Sequence, residues 1–256
     1  MSAAFLLDAG ALFVTQAAVQ SIVIASVAPT PHQALVRWTD AVIGGAVAVV
    51  AATVVPQAPL RRPAEQAARV VRKMAELLRG AARGITDGDV EVTLGVLRDA
   101  RATDAMVREL RDASAEGLSL IAGSPFGRQH RTSVRQTADL IEPLDYAIRN
   151  TRILVRRVAV AAYRHEQIPA SYARFCDDIA AAATEIAAEL HAGRRPDAVR
   201  DRLLALGRAT AQLEQTDELS AQVVLAQFRS VLADLLWITG MGAMESTDAI
   251  PPIDRR

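Results

Sequence analysis

The chain has 256 residues, with 29 basic and 29 acidic side chains and an apolar content of 51%. Balanced charge removes the electrostatic pull toward nucleic acid that a basic domain exerts, and an aromatic content of 4% leaves too few rings for a base-stacking platform. Cys176 is the sole cysteine, so neither an intrachain disulfide nor a zinc cage of several thiolates can form.

Two apolar runs open the chain. Ala9 to Ala28 carries no charge and has about the 20-residue length that crosses a hydrocarbon core. Ala41 to Val55 is shorter, and Trp38 before it with Pro56 to Leu60 after it extends it through the interfaces. Pro29-Thr30-Pro31-His32 between them is a turn. The pair is therefore predicted to be a transmembrane helical hairpin, with helices over about 9–28 and 38–58. A cleaved signal peptide fits less well, because no basic residue precedes the first run. Arg61, Arg62, Arg69, Arg72 and Lys73 crowd the exit of the second run, which by the positive-inside rule places the N-terminus and the long C-terminal part on the cytosolic side. With Lys73 the sole lysine among many arginines and alanines, the composition is that of a GC-rich bacterial genome, hence a bacterial inner membrane.

Polar groups inside the runs mark candidate sites. The amides of Gln16 and Gln20 lie four residues apart on one face, and Asp40 begins the second run. Such groups at membrane depth face protein, water or substrate rather than lipid, so these three are the candidate substrate path; interhelical hydrogen bonding for the two amides and helix-dipole stabilisation for Asp40 are the default roles. Gly44, Ala48 and Ala52 form a small-xxx-small face suited to close helix packing.

From Pro63 onward the apolar residues recur at three- and four-residue spacing. Val70, Val71, Met74, Leu77 and Leu78 predict a helix ending near Gly84, and Thr86-Asp87-Gly88-Asp89 a turn capping the next, which carries Val90, Leu94, Leu97, Val107 and Leu110. A third helix is predicted from after Pro125 to about Gln167, with a kink or break at Pro143. A fourth carries Tyr172, Phe175, Cys176, Ile179 and Ile186, and a last one runs from Val199 to Leu235. No run alternates as a strand does, so the fold class is all-α: a membrane hairpin over 1–60, a cytosolic antiparallel helical bundle over 61–244, and a flexible tail over 245–256.

Enzymatic chemistry finds little support. Lys73 follows Arg72 in a helix rather than closing a phosphate-binding loop, and Gly240-Met241-Gly242 lacks the rest of a dinucleotide fingerprint. The histidines His32, His130, His165 and His191 are dispersed, so no metal or other cofactor is expected. Cys176 falls on an apolar stripe and is expected to be a buried structural thiol. An arginine stripe, Arg128, Arg131, Arg135, Arg149, Arg152 and Arg156, is interrupted by Asp139, Glu142 and Asp145. A solvated face with internal ion pairs is its default role, and its end at Arg149, Arg152 and Arg156 is a candidate anion-attracting surface for carboxylates or lipid headgroups.

Two stretches carry a family resemblance. Arg37-Trp38-Thr39-Asp40-Ala41-Val42-Ile43-Gly44-Gly45-Ala46, followed by Pro56 and Pro59-Leu60-Arg61-Arg62, resembles the closing transmembrane helix of the fusaric acid resistance and aromatic acid exporter proteins. Leu144-Asp145-Tyr146-Ala147-Ile148-Arg149-Asn150-Thr151-Arg152-Ile153-Leu154-Val155-Arg156-Arg157 is similar to the arginine-bearing helix of their cytosolic region. In layout the resemblance covers about Asp8 to Met244. It implies an exporter of small, often aromatic, organic acids, driven by an ion gradient. Such proteins carry several membrane helices before the one resembling Ala41 to Val55. The resemblance thus implies a shortened or partial transporter, completed by further membrane helices or by homo-oligomers. The alternative is a membrane-tethered helical interaction module without transport activity.

Overall fold

A computed structural model describes residues 39–40, 42–47, 58–123 and 131–253. The chain divides into two units, Met1–Val55 and Pro56–Arg256. In the first, residues 39–40 and 42–47 are helical and exposed, Val42, Ile43 and Val47 among them. The remainder of both apolar runs, including Gln16, Gln20, Ala48 and Ala52, lies outside the described residues.

The second unit contains helices α1 (Ala58–Asp87), α2 (Val90–Gly123), α3 (Arg131–Asp139), α4 (Ile141–Arg164), α5 (Ala170–His191), α6 (Arg200–Ala209), α7 (Leu219–Ile238) and α8 (Ala243–Asp248). Short 3-10 turns at Asp197–Val199 and Thr210–Gln212 flank α6, and no strand occurs among the described residues. The α1–α2 corner follows the sequence signal closely. Gly88 takes the left-handed conformation, with φ of 64°, and the Asp89 carboxylate accepts hydrogen bonds from the amides of Glu91 and Val92 at 2.8 and 3.2 Å. That side chain caps amides at the start of α2 that have no partner within the helix.

Helices α1, α5, α7 and α4 form a closed ring, each packing on the next, and α2 covers the outer groove between α1 and α4. Inter-helix pairs fix the directions. Lys73 to Asp99 and Arg62 to Glu116 run α2 antiparallel to α1, while Arg111 to Asp145 and Arg152 to Asp104 run α4 antiparallel to α2. Asn150 to Asp234 and Tyr146 to Trp237 do the same for α4 and α7. Close approach is built on small residues. Ala67, Ala68, Ala75, Ala81 and Ala82 of α1 are buried, as are Ala180, Ala182, Ala183 and Ala187 of α5, the helix packed against it. Gly84 lies so near α2 that a Cβ would sit 2.5 Å from Thr93 Cγ2.

Three predicted elements differ from the structure. The long third helix divides at Leu140, a turn whose amide donates to the Thr137 carbonyl at 3.1 Å. Pro143 then falls in the first turn of α4, where its missing amide costs no intrahelical bond. The expected last helix also divides. Its polar stretch Leu213-Glu214-Gln215-Thr216-Asp217-Glu218 connects Thr210–Gln212 to α7, and the Tyr172 hydroxyl donates to the Glu214 carbonyl at 2.7 Å.

Residues 245–253, expected as part of a flexible tail, are packed instead. Ile250 is buried against Gly207, and the Arg229 guanidinium donates to the Pro251 carbonyl at 2.6 Å and to Thr210 Oγ1 at 2.8 Å. Only Asp254 to Arg256 of that segment lie outside the described residues.

Among the described residues α7 alone is long and apolar enough to cross a membrane by length and composition. Half of that window is buried inside the bundle, where Val224, Phe228, Val231, Leu232 and Leu235 supply core. The buried half of a core helix needs apolar residues for the same reason a membrane span does.

Candidate functional site

The antiparallel α2–α4 pair encloses an open groove of about 790 Å³ on the outer face of the bundle. Its walls carry Arg101, Arg108 and Arg111 from α2 and Arg149, Arg152 and Arg156 from α4, with Asp104 and Asp145 the acidic side chains among them. Leu97, Ala100, Val107 and Ile153 complete the lining. Ala100 and Val107 are buried in the floor, whereas Ile153 is 47% exposed. The groove is thus apolar along its base and strongly cationic along its walls.

Both acids are engaged. Asp145 accepts from Arg111 at 2.9 Å and from Arg149, one helical turn on, at 2.7 Å, and Asp104 pairs with Arg152 across the groove. These pairs are solvent-exposed on at least one side, so each adds only about 0–1 kcal/mol to stability. Arg101, Arg108 and Arg156 have no acidic partner among the described residues. Chemically, the arrangement offers guanidinium donors over an apolar base, which suits an anion with a hydrophobic body.

The predicted anion-attracting residues Arg149, Arg152 and Arg156 therefore share one groove. The rest of that stripe does not join them: Arg135 belongs to α3 and does not line the groove, and the side chains of Arg128 and Arg131 lie outside the described residues. Asp40 and Gly44 are exposed helical residues, and among the described residues no side chain would touch a Cβ added at Gly44. The α2 arginines were not singled out by sequence. Their signal was available, since Arg101, Arg108 and Arg111 recur at spacings of seven and three, which returns them to one helical face.

A second polar cluster lies between α4 and α7. Asn150 Nδ2 donates to Asp234 Oδ2 at 2.7 Å, and one turn away Tyr146 stacks on Trp237 at 6.1 Å between ring centres. Burial pushes the Asp234 carboxyl up to about 7, against the smaller downward pull of the Asn150 amide. Cys176 is fully buried, and the cost of burying a thiolate raises its pKa above the ordinary thiol range. It packs as a small hydrophobe in the core that also holds Phe175 and Ile179. Among the described residues no group of His, Cys, Asp or Glu is placed to hold a metal ion.

Fold and site together define a helical-bundle protein with an arginine-lined surface groove. No family model matches the chain, and no solved structure matches it. A protein of Corynebacterium glutamicum, described as uncharacterized, is 29% identical over 245 residues, covering 93% of this chain. The chain spans 63% of the length of that relative.

Proposed function

We propose that this chain is an integral protein of the bacterial inner membrane, resembling gradient-driven exporters of aromatic and other small organic acids. The observation that carries the proposal is the order of its parts. Two charge-free runs, Ala9 to Ala28 and Ala41 to Val55, precede a basic exit and a helical bundle whose α4 holds the exporter-like stretch Leu144 to Arg157. The bundle lies on the cytosolic side, as does the N-terminus. Two membrane helices cannot enclose a transport path, so the conducting unit needs further membrane helices, from a longer chain or from other copies. Gln16, Gln20 and Asp40 are the polar contacts proposed along that path. The chemistry requires no cofactor and no nucleotide hydrolysis.

Reconstitution tests this. Proteoliposomes holding the full chain, with insertion checked by resistance to alkaline carbonate extraction, should move 2-naphthoate when a proton gradient is imposed, and Gln16→Ala with Gln20→Ala should slow it. Resistance to extraction without gradient-driven movement overturns transport by assembled copies of this chain and favours the second reading, a membrane-tethered helical interaction module. Release of the chain without detergent overturns both.

A further inference from the structure

We infer that the α2–α4 groove is a binding site for a small organic dianion with an apolar body, of the phosphate monoester class, its charged head held between Arg101 and Arg156. The register of the two helices places these groups. Arg111 with Asp145, and Asp104 with Arg152, obey one antiparallel alignment, which brings Arg156 level with Ala100 and Arg101 across the groove. Both guanidiniums are without an acidic partner among the described residues, because Asp104 is engaged by Arg152 and Asp145 by Arg111 and Arg149.

Charge decides the class of ligand. The groove has six arginines against two aspartates. A solvated helix face ordinarily interleaves charges of both signs, whereas three unmatched guanidiniums around one concavity repel one another. A monoanion compensates little of that excess, and a dianionic phosphate matches the forked donors of two arginines at once. The base supplies the other half of the recognition. Ile153 stands 47% exposed between Arg152 and Arg156 in sequence, an apolar surface that a hydrophobic body would take out of water. A volume of about 790 Å³ falls in the range of small-molecule sites, and a concave shape favours one bound molecule over a flat membrane surface. The site requires no transport, so it stands or falls separately from the exporter proposal.

Fluorescence titration of the full chain in dodecyl maltoside with 1-naphthyl phosphate tests the inference, with protein-free micelles subtracted. The ester should bind at least about tenfold more tightly than 1-naphthol, which lacks the charge, and than inorganic phosphate, which lacks the apolar body. Arg101→Gln with Arg156→Gln should weaken it by about tenfold or more while leaving the thermal unfolding midpoint in place. Asp104→Asn should tighten binding, because it releases Arg152 toward the ligand; ion pairs serving only to brace the helices give no such gain. Absence of binding, equal binding of naphthol, unchanged affinity in the double variant, or unchanged or weaker binding in Asp104→Asn overturns the assignment.

Discussion

Asn150 of α4 donates its side-chain amide to the half-buried carboxyl of Asp234 on α7 at 2.7 Å, joining two helices of the ring through one polar contact. Burial holds that carboxyl at about 7 in the folded chain, against an ordinary 3.8. Between those values the folded state keeps a proton that the unfolded state has lost. Stability is therefore greatest below about pH 4 from this group and falls as pH rises through about 7. Asp234→Asn should flatten that slope and add about 1–3 kcal/mol near pH 8. Thermal unfolding followed by circular dichroism across pH 4 to about 9 checks it, and an unchanged slope in the variant contradicts the assignment.

Gly84 should tolerate no side chain. A Cβ would stand 2.5 Å from Thr93 Cγ2 and 3.1 Å from Val158 Cγ1, so Gly84→Val forces α1 away from α2 and α4. Overpacking of this kind costs about 1–3 kcal/mol, partly recovered if Thr93→Ala is added. Denaturation midpoints of the single and double variants measure both terms.

Arg229 should control the order of the C-terminal segment. Its guanidinium donates to Thr210 Oγ1 and to the carbonyls of Ile250 and Pro251. Arg229→Met keeps much of the apolar stem and removes all three contacts. Amide exchange at Ala249, Ile250 and Ile253 should accelerate by about tenfold or more, with little change in α1 and α5. Equal exchange in both regions would show that Ile250 packing alone holds the segment.

Cys176 should be unreactive toward maleimides in the folded chain and react fully on unfolding, since burial both hides the sulfur and disfavours its thiolate. Cys176→Ser should cost about 1–3 kcal/mol by burying a hydroxyl without an assured partner, and more than Cys176→Ala if that polarity dominates. Labelling rates and unfolding midpoints provide the comparison.

Much of the bundle was legible in the spacing of Val70, Met74, Leu77 and Leu78, and in the Gly88-Asp89 corner, because periodicity and capping are local properties. The division at Leu140 was not: Pro143 signals an interruption, but which residue yields depends on where α3 and α4 must diverge to pack. The groove was half legible. Arg149, Arg152 and Arg156 stand close in sequence, whereas their counterparts on α2 lie about fifty residues away and become neighbours only through antiparallel packing.

The sequence by itself determined that the second unit is helical, where most of its helices lie, and that Cys176 faces a core, since each follows from apolar residues recurring with the helical period. Tertiary structure alone decided that α2 lies against α4 with its arginines turned toward theirs, that Asp104 and Asp145 are already engaged there, and that Ile250 closes on Gly207. Those facts depend on which faces meet between segments far apart in the chain. Contacts of that kind are selected by the best total burial of apolar surface over the whole bundle, which no local pattern encodes.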